Sequence, residues 1–99
     1  MNWILEEAKA LQEEIVVNRR WLHSHPEIGH DLPQTVGYVK ARLEEMGVEY
    51  QEICQCGLVV LLGKKPGKCI ILRADMDALP MPDESGLPFA SLNEGAAHT

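Results

Sequence analysis

The chain has 99 residues, and its 9 Lys and Arg against 15 Asp and Glu give a formal charge of −6. That length holds one small domain at most and excludes a complete two-domain enzyme, while the acidic balance excludes a surface built to neutralise nucleic-acid phosphates or an anionic membrane. Hydrophobic residues at 45% and charged residues at 24% are the proportions of a folded chain and exclude a disordered one.

From Trp3 to about His25 the apolar residues Ile4, Ala8, Leu11, Ile15 and Leu22 recur at helical spacing, with Glu6, Glu7, Glu13 and Glu14 on the polar side. The spacing predicts one amphipathic helix, ended at His25 because Pro26 disfavours helical geometry in the residue before it. Pro26 to Leu32 reads as a loop. A second helix starts near Pro33, carries Val36, Val39, Leu43 and Met46 on one face, and closes at Gly47. Trp3 and Trp21 are expected in the core.

After Gly47 the pattern turns to β. Val48 to Ile53, Leu58 to Leu62 and Lys68 to Ala74 read as strands, the last two joined as a hairpin by a turn over Gly63-Lys64-Lys65-Pro66-Gly67. Leu58 to Leu62 and Cys69 to Leu72 are continuously apolar, the pattern of strands covered on both faces, which two helices can hardly supply. Ala78 to Thr99 shows no periodicity, only Pro80, Pro82, Gly86, Pro88 and Gly95 among mixed residues, and so long an irregular stretch in a compact domain points to function. The expected fold class is α/β: two helices, then three strands, with the elements that pack on the sheet absent.

The apolar run Leu58 to Leu62 is far shorter than the roughly 20 residues of a membrane helix, and the first residues lack the order of a signal peptide. The expected location is the cytoplasm. Three cysteines, Cys54, Cys56 and Cys69, are then expected as reduced thiols. Cys54-Gln55-Cys56 sets two thiols on one face of a strand, but at a spacing closer than zinc sites favour and without evident further ligands.

Two clusters can carry chemistry. In Arg73-Ala74-Asp75-Met76-Asp77-Ala78-Leu79-Pro80 an apolar strand delivers two carboxylates to its C-terminal end, where α/β proteins build sites. Alternation sets Asp75 and Asp77 on one face, suited to holding a metal or orienting a ligand histidine; the competing reading is a pair of carboxylates that caps a loop. The second cluster, His23-Ser24-His25-Pro26-Glu27-Ile28-Gly29-His30-Asp31, has three histidines and two acids. His23 and His25 leave a helix on different sides, so structural roles near the helix C-terminus fit them better than shared ligation. No phosphate loop and no nucleophile elbow is present.

The strings Arg20-Trp21-Leu22-His23-Ser24-His25-Pro26-Glu27-Ile28-Gly29, Arg73 to Pro82 and Gly86-Leu87-Pro88-Phe89-Ala90-Ser91, in that order, resemble the N-terminal part of the metal-dependent amidohydrolases that include hippurate hydrolase, N-acyl-L-amino acid amidohydrolases and indole-acetyl-amino acid hydrolases. The resemblance runs over essentially the whole chain. It implies an incomplete part of a mixed-sheet, metallopeptidase-like catalytic domain over residues 1–99, the rest of that domain and a satellite dimerisation domain being absent. It also implies hydrolysis of the amide bond of a small N-acyl amino acid at two divalent ions (Zn, Mn, Co or Ni), with a bridging water as nucleophile and a downstream Glu as general base. Homo-oligomers are implied, and neither nucleic acid nor membrane as a partner.

Residue by residue, Asp77 matches the aspartate that orients a metal-binding histidine and is the catalytic residue the resemblance assigns here. Asp75 falls where more distant peptidases place a ligand histidine and is not expected to be a ligand; His98 lies just before the family's Cys-Gly-His-Asp metal motif, which is expected after Thr99. The resemblance thus gives this chain no metal ligand and no bound metal, and the chain alone is expected to be inactive. Leu32 stands where relatives commonly carry glutamate, and His30 where an aromatic is common. The alternative is a non-catalytic module that pairs its exposed sheet edge with a partner.

Overall fold

The N-terminal amphipathic run folds as two helices in place of one, α1 (Asn2–Ala10) and α2 (Gln12–Ser24). At Leu11 the backbone sits at φ −92°, ψ 0°, and its N–H bonds back three residues to Ala8 O, a local tightening of the helical ladder that resumes with Ile15 N–H on Leu11 O. The computed structural model describes residues 2–63 and 65–98. α1 buries none of its residues, so Trp3, expected in the core, is 61% exposed. α2 ends where Pro26 requires, with His25 as its last capping residue.

α3 (Pro33–Glu45) begins on Pro33 as its spacing predicts. Its end shows why Gly47 follows. Val48 N–H bonds to Leu43 O and Gly47 N–H to Glu44 O, and this pair of bonds needs a left-handed residue between them, which Gly47 supplies at φ +71°. The predicted apolar face is only partly buried: Val36 is in the core and Met46 is exposed. α3 packs on α2 by side chains: Trp21 stacks between His25 and Tyr38, with ring centroids 4.0 and 4.1 Å away, and the Tyr38 hydroxyl donates to Asn18 Oδ1 at 2.7 Å. Arg42 bridges Glu14 of α2 and Glu45 of its own helix.

The β region departs from expectation. Only two short strands form among the described residues, β1 (Gln51–Ile53) and β2 (Gly57–Val59), paired antiparallel with Ile53 opposite Gly57. The hairpin therefore turns through Cys54-Gln55-Cys56 and not through residues 63–67, a segment whose Lys64 lies outside the described residues. Gly57 permits the closure, because a Cβ there would stand 2.8 Å from Ile53 O. Lys68 to Ala74, expected as the third strand, forms no strand and has no ladder partner among the described residues. A strand exists only where its N–H and C=O groups find a ladder, and among the described residues no neighbouring strand provides one.

The same absence explains the exposed apolar surface. Leu72 is 95% exposed and Ile70 86%, although their run has the composition of a strand covered on both faces. The radius of gyration, 15.6 Å, exceeds the roughly 13 Å of a compact chain of this size. What core there is sits elsewhere, where Leu32, Val36, Ala78, Ala96 and Ala97 close around Pro26 and Thr35. Amide exchange should follow this division: the amides of Lys68 to Leu72 exchange at unprotected rates while those of α3 are protected, and equal protection in both would contradict the described pairing.

Candidate functional site

The turn after α2 gathers the distant parts of the chain. Glu27 accepts from the backbone N–H of Thr35 at 2.7 Å and of Gln34 at 3.2 Å, which caps the start of α3 in place of its N-cap residue, Leu32. A carboxylate there meets both the unpaired helical donors and the positive end of the helix dipole. Leu32, freed from capping, is 3% exposed and fills the core. The Glu27 carbonyl accepts the Ala78 N–H at 2.7 Å, which fixes the segment that carries Asp77.

The irregular C-terminal stretch closes over the same turn. Leu92 N–H bonds to Ser24 O at 2.8 Å, Asn93 Nδ2 to Pro26 O at 3.3 Å, and Leu79 exchanges both backbone bonds with Ala97. Asp83 anchors it: Oδ1 accepts the Ser85 N–H and Oδ2 the Ser91 N–H, while His23 Nε2 lies 3.1 Å from Oδ2. The Ser91 and Ser85 donors, joined by His23, hold the Asp83 carboxyl well below the usual carboxylate range. Its contribution to stability is therefore complete above the ordinary aspartate value of about 4 and is lost as pH falls through the lowered one. Phe89 covers the pair, edge-on to His23 and with Arg20 over its face at 4.6 Å.

The two sequence clusters meet across an open cleft of about 380 Å³, lined by Leu22 and His23 of α2, Thr35 of α3, Asp75, Met76 and His98. Thr35 Oγ1 and His98 Nε2 are buried there without a hydrogen-bond partner. Folded proteins ordinarily pair such atoms, so the cleft is a place for a further hydrogen-bonding group. Burial lowers the titration of His98 below the ordinary histidine value, His23 adds to the effect, and Asp77 opposes it.

The predicted residues divide accordingly. Asp77 is exposed and near His98, Asp75 lies in the cleft wall but pairs with Arg73 at 2.8 Å, and His23 and His25 are taken up by Asp83 and by Trp21. His30 stands apart, against Cys56. Sequence reasoning missed Asp83 and the capping role of Glu27. Asp83 had a signal, since Pro82-Asp83-Glu84-Ser85-Gly86 is a turn sequence whose Asp bonds the backbone two residues on. Glu27 had none, because its partners lie seven and eight residues away.

The N-acyl-L-amino acid amidohydrolase of Geobacillus stearothermophilus is 36% identical over 94% of this chain and 27% of its own length. Hippurate hydrolase of Campylobacter jejuni is 40% identical over 96% of the chain and 25% of its own length. Among solved structures, a Bacillus subtilis dinuclear metal binding peptidase from the M20 family superposes with a TM-score of 0.83 at 34% identity, over 91% of this chain and 26% of that one. In sequence and in fold, the chain matches a segment of the M20-family amidohydrolases. It spans about a quarter of the length of these relatives. A Rhodococcus jostii protein named as a glutamate–cysteine ligase is 38% identical over 99% of the chain, but the match occupies 12% of that protein, so its name describes mostly sequence without a counterpart here. No protein-family model matches the chain.

The described residues contain no group of three or more His, Cys, Asp and Glu able to hold a metal ion, and no helix long and apolar enough to cross a membrane. Removing the Asp77 charge should move His98. In Asp77→Asn the His98 titration midpoint, followed by its ring proton resonances, falls further below about 6.5; an unchanged or raised midpoint would contradict the proximity of the two side chains.

Proposed function

We propose that this segment belongs to an enzyme that hydrolyses the amide bond of small N-acyl amino acids with the help of two divalent metal ions, and that Asp77 is its contribution to the reacting centre. The observation that carries the reading is the fixing of Asp77. Ala78 N–H is bonded to the Glu27 carbonyl and Leu79 is laddered to Ala97, so the backbone that follows Asp77 is tied to two segments far away in sequence, which supports an orienting role for its carboxylate. A carboxylate so placed suits an acceptor for the ring N–H of a histidine, fixing that ring's tautomer and orientation.

The residues at hand do not fit two metal ions. Asp75 is engaged by Arg73 and His23 by Asp83, and among the described residues no group of three or more His, Cys, Asp and Glu could hold a metal ion. No catalytic step is therefore routed through this chain beyond the orienting role of Asp77, and the chain by itself does not turn over substrate. The names of its relatives support amide hydrolysis as the reaction class, and a two-metal centre has support from the dinuclear Bacillus subtilis neighbour.

The test is a chimera. This chain replaces the matching segment of the Geobacillus stearothermophilus amidohydrolase, and release of amino acid from N-acyl substrates is followed with Mn²⁺, Zn²⁺ or Co²⁺. The chimera should hydrolyse, the 99-residue chain alone should not, and Asp77→Asn should lower the chimera's kcat by about 10- to 100-fold, the range for residues that orient a metal ligand. A folded chimera without activity, or one indifferent to Asp77→Asn, would defeat the reading.

A further inference from the structure

Two features that stand apart in the sequence meet in the fold. His30, the residue in place of a common aromatic, lies with Nδ1 3.9 Å from the Sγ of Cys56, 26 residues away. Cys56 ends the turn Cys54-Gln55-Cys56 between β1 and β2, and Cys54 begins it in the left-handed region at φ 55°. Because Ile53 and Gly57 are paired across the hairpin, the two cysteines are held within one tight turn, Cys54 exposed and Cys56 half-buried. Neither the cleft nor the Asp77 segment uses any of the three.

We propose that Cys54 and Cys56 form a peroxide-oxidisable dithiol, with Cys56 as the attacking sulfur, His30 as its base and Cys54 as the resolving thiol. With the His30 proton on Nε2, the Cys56 thiol donates to Nδ1 and can pass its proton there. The thiolate attacks one oxygen of a hydroperoxide, the O–O bond breaks, and the departing oxygen takes the proton back from His30. With hydrogen peroxide this leaves water and a sulfenic acid on Cys56. The Cys54 sulfur then bonds to the Cys56 sulfur and displaces its hydroxyl, which leaves as a second water with the Cys54 proton. Overall one hydrogen peroxide gains two electrons, and two thiols become one disulfide.

Position favours this pair over Cys69. A reactive thiol needs a nearby proton acceptor, access to the oxidant and a second thiol within reach. Cys56 has all three. Cys69 is exposed, and among the described residues its sulfur's hydrogen-bond partner is the Ile70 carbonyl, with no histidine, so it is an internal reference within the same molecule.

The experiment treats the reduced full chain with equimolar hydrogen peroxide, blocks the remaining thiols with iodoacetamide at intervals, and locates the products by peptide mass. A Cys54–Cys56 disulfide, two hydrogens lighter, should appear while Cys69 is still fully alkylated, with Cys56 reacting about five-fold or more ahead of Cys69. In Cys54→Ser, Cys56 should stop as a sulfenic acid that dimedone traps. His30→Phe should slow Cys56 to the rate of Cys69, and so should urea, which separates His30 from the turn without changing the sequence. Equal rates for all three thiols in the folded chain, a preference that survives urea, or products linked mainly through Cys69 between molecules would each overturn the proposal.

Discussion

Glu27 is the contact on which the described fold depends. Its carboxylate supplies acceptors to the first free donors of α3, and its carbonyl supplies the acceptor for the segment that carries Asp77. The adjacent carbonyls of Ser24 and Pro26 hold the C-terminal stretch through Leu92 and Asn93. One short turn, stiffened by the buried Pro26, thus orders a helix, the segment that carries Asp77 and a long irregular loop. Few apolar side chains are buried, so these directed bonds carry an unusual share of the tertiary order.

The arrangement has two unequal parts. Around the turn the polar atoms are nearly all paired, and the exceptions, Thr35 Oγ1 and His98 Nε2, face the cleft. Between β2 and Ala74 the described residues show most of their apolar side chains to water, with Leu61, Leu62 and the run from Ile70 to Leu72 all more exposed than Trp3. Such side chains gain free energy only when another surface removes them from water. Likeness to a quarter of a much longer M20-family relative agrees with a segment whose own residues do not complete its sheet.

How much the sequence revealed follows the range of the forces involved. The end of α2 before Pro26, the start of α3 at Pro33 and its close at Gly47 were legible because each rests on the local geometry of one or two residues. The strands were legible only in part: β1 lies within Val48 to Ile53 and β2 overlaps Leu58 to Leu62. Val48 to Ile53 and Lys68 to Ala74 have β composition, but composition cannot say whether a partner is present to receive the hydrogen bonds, and for the second it is not. The break at Leu11 had no Gly or Pro to announce it. At the site, the string from Arg73 to Pro80 singled out Asp77 through resemblance, whereas the contacts that hold it, Glu27 with Ala78 and Leu79 with Ala97, span 51 and 18 positions and leave no pattern in a single chain. His23, read as structural, meets Asp83, a partner 60 residues on that no local pattern announces.

The central claim, that the Glu27 turn organises both α3 and the Asp77 segment, is tested most directly by amide exchange in Glu27→Ala. Loss of the cap should cost about 1 kcal/mol, raise exchange at Gln34 and Thr35, and raise it also at Ala78 and Leu79, which bond only to backbone carbonyls. Increased exchange at Gln34 and Thr35 with Ala78 and Leu79 unchanged would show two independent features that merely share a residue, and would contradict the account.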